Sequence, residues 1–224
     1  MRKFRYLFFV LFLVISPLIL NAQDDELRLG LRAGHNAAFG GFAAVSLETL
    51  QTFCGNFSVN GGLQYNTIGK TALEARPAYR IPFKCGDFYV EALVSYSNLS
   101  SMNSFAAGAG AKLDFRFVSG RLGYFYRSYF GHGGRIEEPF NIYYDFRAHF
   151  LRKVENWNLD LVVTNCEMFD LERHYQPTFI AEGSFFPTSN LGISFGVGCK
   201  PSGMFHLSAG YYQSYIKTGV CYRW

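Results

Sequence analysis

The last nine residues constrain this chain most. Ile216, Thr218, Val220, Tyr222 and Trp224 alternate with Lys217, Gly219, Cys221 and Arg223, the period of two that gives a strand one apolar and one polar face. A strand of this kind ending on an aromatic residue makes a poor sheet edge, because its unpaired N–H and C=O groups invite pairing with other chains. Pairing with the first strand of the same chain removes the edge. Ile216, Val220, Tyr222 and Trp224 are therefore expected to close a barrel.

The same period recurs upstream, with no sustained helical stretch. Leu27, Leu29, Leu31 and Ala33 alternate with Arg28, Gly30, Arg32 and Gly34. Phe105, Ala107, Ala109, Ala111, Leu113, Phe115 and Phe117 alternate with Gly108, Gly110, Lys112, Asp114 and Arg116. Twelve such segments are expected, near 26–35, 41–51, 56–66, 71–83, 87–98, 104–118, 121–131, 139–151, 156–166, 175–187, 190–199 and 203–224. The apolar parity of the last one switches between Tyr211 and Ile216, which leaves a bulge or an extra hairpin open there. An even count suits a single-chain membrane barrel and puts both ends of the chain on one side, the periplasmic one. On that reading the turns at Val118–Arg121 and Pro187–Asn190 are periplasmic, and the longer Phe130–Pro139 and Cys166–His174 connections are external.

Residues 1–22 read as a secretory signal. Arg2, Lys3 and Arg5 form a basic start, Tyr6 to Leu20 an apolar run broken by Pro17, and Leu20-Asn21-Ala22 a small-residue cleavage site. The run is short for a membrane helix, which needs about 20 apolar residues. The expected organisation is a cleaved signal over 1–22 and one barrel over 23–224. Three of the 21 basic residues leave with the signal, so the mature chain nearly balances its 17 acidic ones and carries no electrostatic case for binding nucleic acid. With 24 Phe, 15 Tyr and 23 Gly, the aromatic and glycine content fits a barrel.

A soluble β-sandwich also alternates, since an antiparallel sheet can keep one wet face. The difference lies in what meets the apolar face. Tyr96, Phe105, Phe117, Tyr124, Phe130, Phe140, Phe150, Trp157 and Trp224 sit near strand ends, where the aromatic girdles of a lipid-facing barrel belong. The fold class expected is all-β, a single antiparallel up-and-down transmembrane barrel of about twelve strands.

With its Asn-Ala-Gln signal end, alternating aromatic strands and terminal Trp, the chain resembles small outer-membrane β-barrels of the Bacteroidetes type over its whole mature length. These motifs are architectural. The resemblance implies export through the periplasm to the outer membrane, lipid as surroundings, and delivery by the barrel-assembly machinery through the C-terminal strand. It leaves channels, accessory barrels, adhesins and lipid-modifying enzymes all in play.

The polar parity carries the functional expectation. Arg28, Arg32, Glu74, Arg76, Glu91, Lys112, Asp114, Arg116, Arg127, Asp145, Arg147 and Glu182 should line the lumen, joined by Arg80, Arg121, Lys217, Arg223, Glu48 and Asp160. Basic groups outnumber acidic ones eleven to seven in that set, a mildly cationic interior. Eight strands are filled by their side chains and sixteen enclose a water channel, so twelve lie between. Two outcomes follow: a narrow porin-like channel weakly favouring anions, or a structural barrel filled by salt bridges. A plugged barrel that serves an outer-membrane assembly is the alternative, with small solutes or proteins meeting the external loops.

Other motifs weigh less. His206 and Ser208 share one strand face, as the base and nucleophile of lipid hydrolases do, but Ala209 follows where those enzymes carry Asn, and no later strand supplies a group to orient the His. No enzyme activity, cofactor or metal site is expected. His132, Glu137, Glu138, Glu172 and His174 are as well explained by solvated loops as by a metal. Five cysteines in an exported chain admit disulfides, and the repeated Cys-Gly-(Asn/Asp)-Phe before two strands makes Cys54 and Cys85 the candidate pair. Cys166 and Cys199 would sit at external strand ends. The five are equally readable as small buried hydrophobes.

Overall fold

The computed structural model describes residues 25–36, 40–53, 55–99, 102–131, 134–154, 156–171, 176–200 and 213–224. The expected signal lies outside them. The described strands are β1 (Glu26–Asn36), β2 (Gly40–Phe53), β3 (Phe57–Asn66), β4 (Lys70–Phe83), β5 (Gly86–Leu99), β6 (Met102–Phe115), β7 (Val118–Gly131), β8 (Gly134–Val154), β9 (Trp157–Thr164), β10 (Cys166–Glu167), β11 (Asp170–Leu171), β12 (Thr178–Phe185), β13 (Leu191–Lys200) and β14 (Gln213–Arg223). All but β10 and β11 join one closed antiparallel ring of twelve strands, each paired with its sequence neighbour, β9 being followed in the ring by β12. The seam is β1 against β14, from Glu26 opposite Arg223 to Asn36 opposite Gln213.

Period two decides which side each residue takes, and the result is inverted relative to a soluble core. Leu29, Leu31, Val45, Val90, Val94, Leu122, Phe195, Val197 and Ile216 are exposed on the outer face, while Glu74, Arg76, Glu91, Asp114, Arg127 and Asp145 are buried inside. An apolar exterior circling a barrel is stable against hydrocarbon and not against water, where contiguous apolar patches rarely exceed a few hundred Å². The sandwich reading fails on this point, because the apolar face has no second sheet over it. Tyr96, Phe105, Phe117, Phe130, Phe150 and Trp157 are outward and exposed near strand ends, whereas Tyr124 and Phe140, expected there too, are outward and exposed in the middle of β7 and β8, because the paired strands run further than the sequence reading allowed.

Three connections differ from the sequence reading. The hairpin between β6 and β7 turns at Arg116-Phe117, with Asp114 opposite Ser119. The Ser119-Gly120 pair that looked like the turn is already in β7, and buried Ser119 meets the His149 ring at 3.2 Å. The apolar parity runs unbroken through Phe115 and Phe117, which hid a two-residue turn. Arg116 is therefore at the rim rather than in the lumen, its guanidinium 5.2 Å from the Phe117 ring. Phe130–Pro139 is not a long loop either: β7 and β8 continue as paired strands to Gly131 and Gly134, past a bulge in β8 where Pro139 and Phe140 stand against Tyr126 alone. Pro139 lies at the irregular stretch, where a missing N–H costs no ladder bond. The third correction, at Cys166, concerns the site itself. Near the end of the chain, β14 begins at Gln213, and residues 201–212, with His206 and Ser208, lie outside the described residues.

Candidate functional site

The wall of the lumen is a mesh of ion pairs. Arg121 grips Glu91 with two nitrogens, at 2.6 and 3.2 Å. Arg147 donates to Asp145 at 2.7 Å and to Glu182 at 2.6 Å. Lys112 meets Asp114 at 3.0 Å, Arg28 meets Glu26 at 2.9 Å, and Arg223 meets the other oxygen of Glu26 at 2.9 Å. Arg127 hydrogen-bonds Tyr129 at 2.8 Å and stands 3.9 Å from Glu138. The buried charges among these, Glu91, Asp114, Arg127 and Asp145, persist only when paired, and two-point arginine contacts fix geometry as well as charge. Arg80, counted with the lumen from its parity, is exposed at the rim and bonded to Asp87 at 2.8 Å.

Residues 165–171 do not form an external loop. After β9 the chain turns into the barrel, and β10 and β11 make a minimal hairpin there, Cys166 opposite Leu171 and Glu167 opposite Asp170. Its root is tied to β8, where the Asn165 side chain donates to Ile142 O at 2.8 Å and accepts from Tyr144 N at 2.7 Å. One flank is apolar: Cys166 packs with Leu93, Ala106, Phe125 and Tyr143, and Leu171 lies against that cluster. The tip reaches the far wall. Phe169 is 4 % exposed, and its ring lies so close to the Gly62 backbone on β3 that a Cβ there would come within 2.8 Å of Cζ. In the ring order β3 is six strands from β9 in either direction, diametrically opposite.

Polar anchors hold the segment along this path. Phe169 N donates to Glu74 Oε2 at 2.9 Å, while Arg76 holds the other oxygen of Glu74 at 2.5 Å and donates to Cys166 O at 2.7 Å. Lys70 donates to Phe169 O at 3.0 Å, and Arg127 to Leu171 O at 2.7 Å. Arg32 Nη2 lies 2.9 Å from Glu167 and 3.7 Å from Asp170; Lys217 Nζ reaches Glu167 at 3.2 Å; the Tyr215 hydroxyl donates to Glu167. Burial alone would raise the Glu167 carboxyl, but Arg32, Lys217 and the Tyr215 hydrogen bond hold it below the usual carboxylate range. Asp170 is likewise held low against its burial, by Lys200, Lys70, Arg32 and Arg127. Burial pushes the Cys166 thiol up, which keeps it a thiol.

Between the segment and the rim that carries Glu26 and Arg223 the lumen keeps a cavity of about 520 Å³. Arg28, Glu48, Lys112, Arg147, Asp160, Glu182 and Lys217 are among its lining, and Glu167 and Phe169 face it from the segment. A volume of this order matches sites that take small molecules.

Of the sequence-derived lumen residues, Arg28, Arg32, Glu74, Arg76, Glu91, Lys112, Asp114, Arg127, Asp145, Arg147 and Glu182 face inward, and Arg116 does not. Arg32, Glu74, Arg76 and Arg127 are the ones that meet the segment. Sequence reasoning missed Lys70, Glu167, Phe169, Asp170 and Tyr215. One signal was present: Met168-Phe169 is an apolar pair in a stretch assigned to solvent. Cys166, expected at an external strand end, is buried in the segment, whereas Cys199 is exposed on β13. Cys85 carries a free thiol, and Cys54 lies outside the described residues. Glu137 pairs with Arg135 at 2.8 Å and Glu138 faces Arg127; His132, Glu172 and His174 lie outside the described residues.

No family model matches the chain, and no curated protein matches its sequence. Solved structures do match its fold. The translocator domain of the autotransporter NalP from Neisseria meningitidis superposes with a TM-score of 0.63 at 11 % identity, covering 95 % of this chain and 92 % of that one. The KdgM porin gives 0.57 at 14 % identity over 89 % of this chain and 99 % of that one, and the NanC porin 0.57 at 10 % over 88 % and 100 %. The fold is that of the membrane β-barrels. At such identities the likeness concerns the backbone and carries no side-chain chemistry.

Proposed function

We propose that this protein is a porin-like channel of the outer membrane whose passage is narrowed by the inward segment 165–171. The observation that carries the reading is the polar 520 Å³ cavity, lined by partly exposed charged side chains, that leads from one rim to that segment. A lumen serving only as filler would be packed there. The porin-like folds among the structural neighbours are consistent with it. Export through the periplasm, insertion through the C-terminal strand and the Bacteroidetes type belong to the same proposal. It assigns no catalytic role.

Anion preference is expected to be weak. Arg80 and Arg116 drop out of the lumen count, Lys70 and Lys200 join its basic side, and Glu26, Glu138, Glu167 and Asp170 join its acidic side, so the surplus of basic groups read from the sequence is offset. The plugged accessory barrel is the second reading, favoured by the segment's contacts on diametrically opposed walls. Single-channel recording in a planar bilayer, with reversal potential under a salt gradient, separates them. Discrete steps of modest selectivity support the channel; a heat-modifiable, inserted and permanently silent barrel supports the plug.

A further inference from the structure

We propose that Arg32, Lys70, Tyr215 and Lys217 form a carboxylate-binding site on the barrel wall, which the chain's own Glu167 and Asp170 fill in the closed state. A solute bearing two neighbouring carboxylates competes for that site and releases the segment. The inference rests on the channel reading and names the solute chemistry that opens it.

The arrangement is that of a receptor with its ligand supplied in cis. Glu167 and Asp170 carry like charges, and the same guanidinium nitrogen of Arg32 touches both. Lys70 Nζ stands 3.8 Å from Asp170, Lys217 takes one oxygen of Glu167, and the Tyr215 hydroxyl takes the other. Two mutually repelling carboxylates stay together because the wall neutralises both. The wall side is organised independently of the segment. The Arg32 guanidinium stacks on the Tyr215 ring, Cζ 3.6 Å from its centroid. That ring in turn lies on bare backbone, since a Cβ at Gly198 would come within 2.1 Å of Tyr215 Cζ. Lys217 is also held from β12 by Glu182. With the segment withdrawn, these groups stay in place and need an anion.

A second observation points to a ligand larger than the one in place. The Arg32 side chain is only 10 % exposed, and its Nε–H is buried without an acceptor among the described residues. A buried donor left unpaired is destabilising. Glu167 approaches Nη2 alone and leaves that edge of the fork unused, whereas a solute carboxylate arriving from the cavity can take Nε and Nη2 together. The site borders the 520 Å³ cavity, whose lining includes Arg32, Lys217 and Glu167, so a small dicarboxylate has room to approach from that side.

The test uses the purified full chain, with citrate as probe and sodium chloride or sulfate at matched ionic strength as controls. Calorimetry should show citrate binding at least about tenfold tighter to the Glu167→Gln/Asp170→Asn variant than to the native chain, because a competitor that occupies a site nine-tenths of the time weakens a ligand by that factor. Adding Arg32→Gln to the variant should abolish the gain. In bilayers citrate should raise the open probability of the native channel, and the double variant should open without it. Equal citrate affinity in native chain and variant, or equal effects of citrate and the control salts, overturns the inference. If inserted barrels stay silent in every form, the channel reading fails; the calorimetry still decides the site. Heat-modifiable migration of each variant identifies any that fail to fold, and Glu167→Gln alone, expected to give part of the gain, then serves in place of the double variant.

Discussion

The segment's hold on the far wall has an apolar part that can be removed without touching a charge. Phe169 is almost wholly buried against β3, with Gly62 supplying the space its ring occupies. When the segment leaves the β3 wall that ring meets water, so Phe169→Ala removes burial from the closed state alone. Burying a Phe side chain is worth about 2–3 kcal/mol by transfer. The void left in the closed state would add to the loss in a dry core, but lumen water can fill this one, so the transfer value is used. At 1.4 kcal/mol per factor of ten, the opening equilibrium should rise about 30- to 140-fold. Residue 169 has φ of 67°, a left-handed conformation that Phe and Ala both adopt at a cost, so backbone strain cancels in the comparison. The reporter is the backbone N–H of residue 169, bonded to Glu74. Its hydrogen-exchange protection in detergent should fall by the same factor, while amides of the β1–β14 seam keep theirs. A fall of less than about threefold at residue 169, or an equal loss in the seam, would refute the argument, since the ring would then be a passenger or a support of the whole barrel.

Other consequences follow from the same geometry. Glu167 and Asp170 have folded values depressed below the ordinary carboxylate range of about 4, so their contribution to docking is complete above that range and is lost as the pH falls through the depressed values; exchange protection at residue 169 should be flat from pH 8 to about pH 4.5 and drop only in stronger acid, and a transition near pH 6 would contradict the assignment. Val94 points outward midway along β5, so Val94→Arg should cost about 2–4 kcal/mol in lipid vesicles, read by denaturant unfolding, and a change below about 0.5 kcal/mol would mean that this face does not meet hydrocarbon. Leu29 stands opposite Val220 across the closing seam and opposite Leu47 on its other side; in a background freed of native cysteines, Leu29→Cys/Val220→Cys and Leu29→Cys/Leu47→Cys should each oxidise to an internal disulfide, at different rates because only one of the two is a hydrogen-bonded pair, and no disulfide at all from the first pair would place the seam elsewhere.

Much of the barrel was legible because its rule is local. Each strand writes its two faces in alternate residues, so Leu29 and Leu31 outward and Arg28 and Arg32 inward follow from the chain without a partner in view. Boundaries were less legible where two rules collide, as at Arg116-Phe117, where an apolar face continues through a turn while Ser119-Gly120 offers a false one. Length was misread at Phe130–Pro139, since Gly and Pro there mark a bulge rather than an unpaired loop. The site was only half visible. Arg32, Glu74, Arg76 and Arg127 were placed inside by parity, but their partners Glu167, Phe169 and Asp170 lie in a stretch too short and irregular for any period to orient.

The sequence alone determined that the chain makes an antiparallel barrel with its greasy face outward, because a period of two combined with glycine and aromatic enrichment leaves few other ways to satisfy backbone groups in lipid. Tertiary structure decided what the interior does. Whether the connection after β9 enters the solvent or the lumen depends on contacts with Gly62, Glu74, Arg32 and Tyr215, which are distant along the chain and meet only once the ring has closed. The balance of charge inside was settled the same way: carboxylates that look like solvated loop residues become counter-ions of the wall when a few residues fold inward.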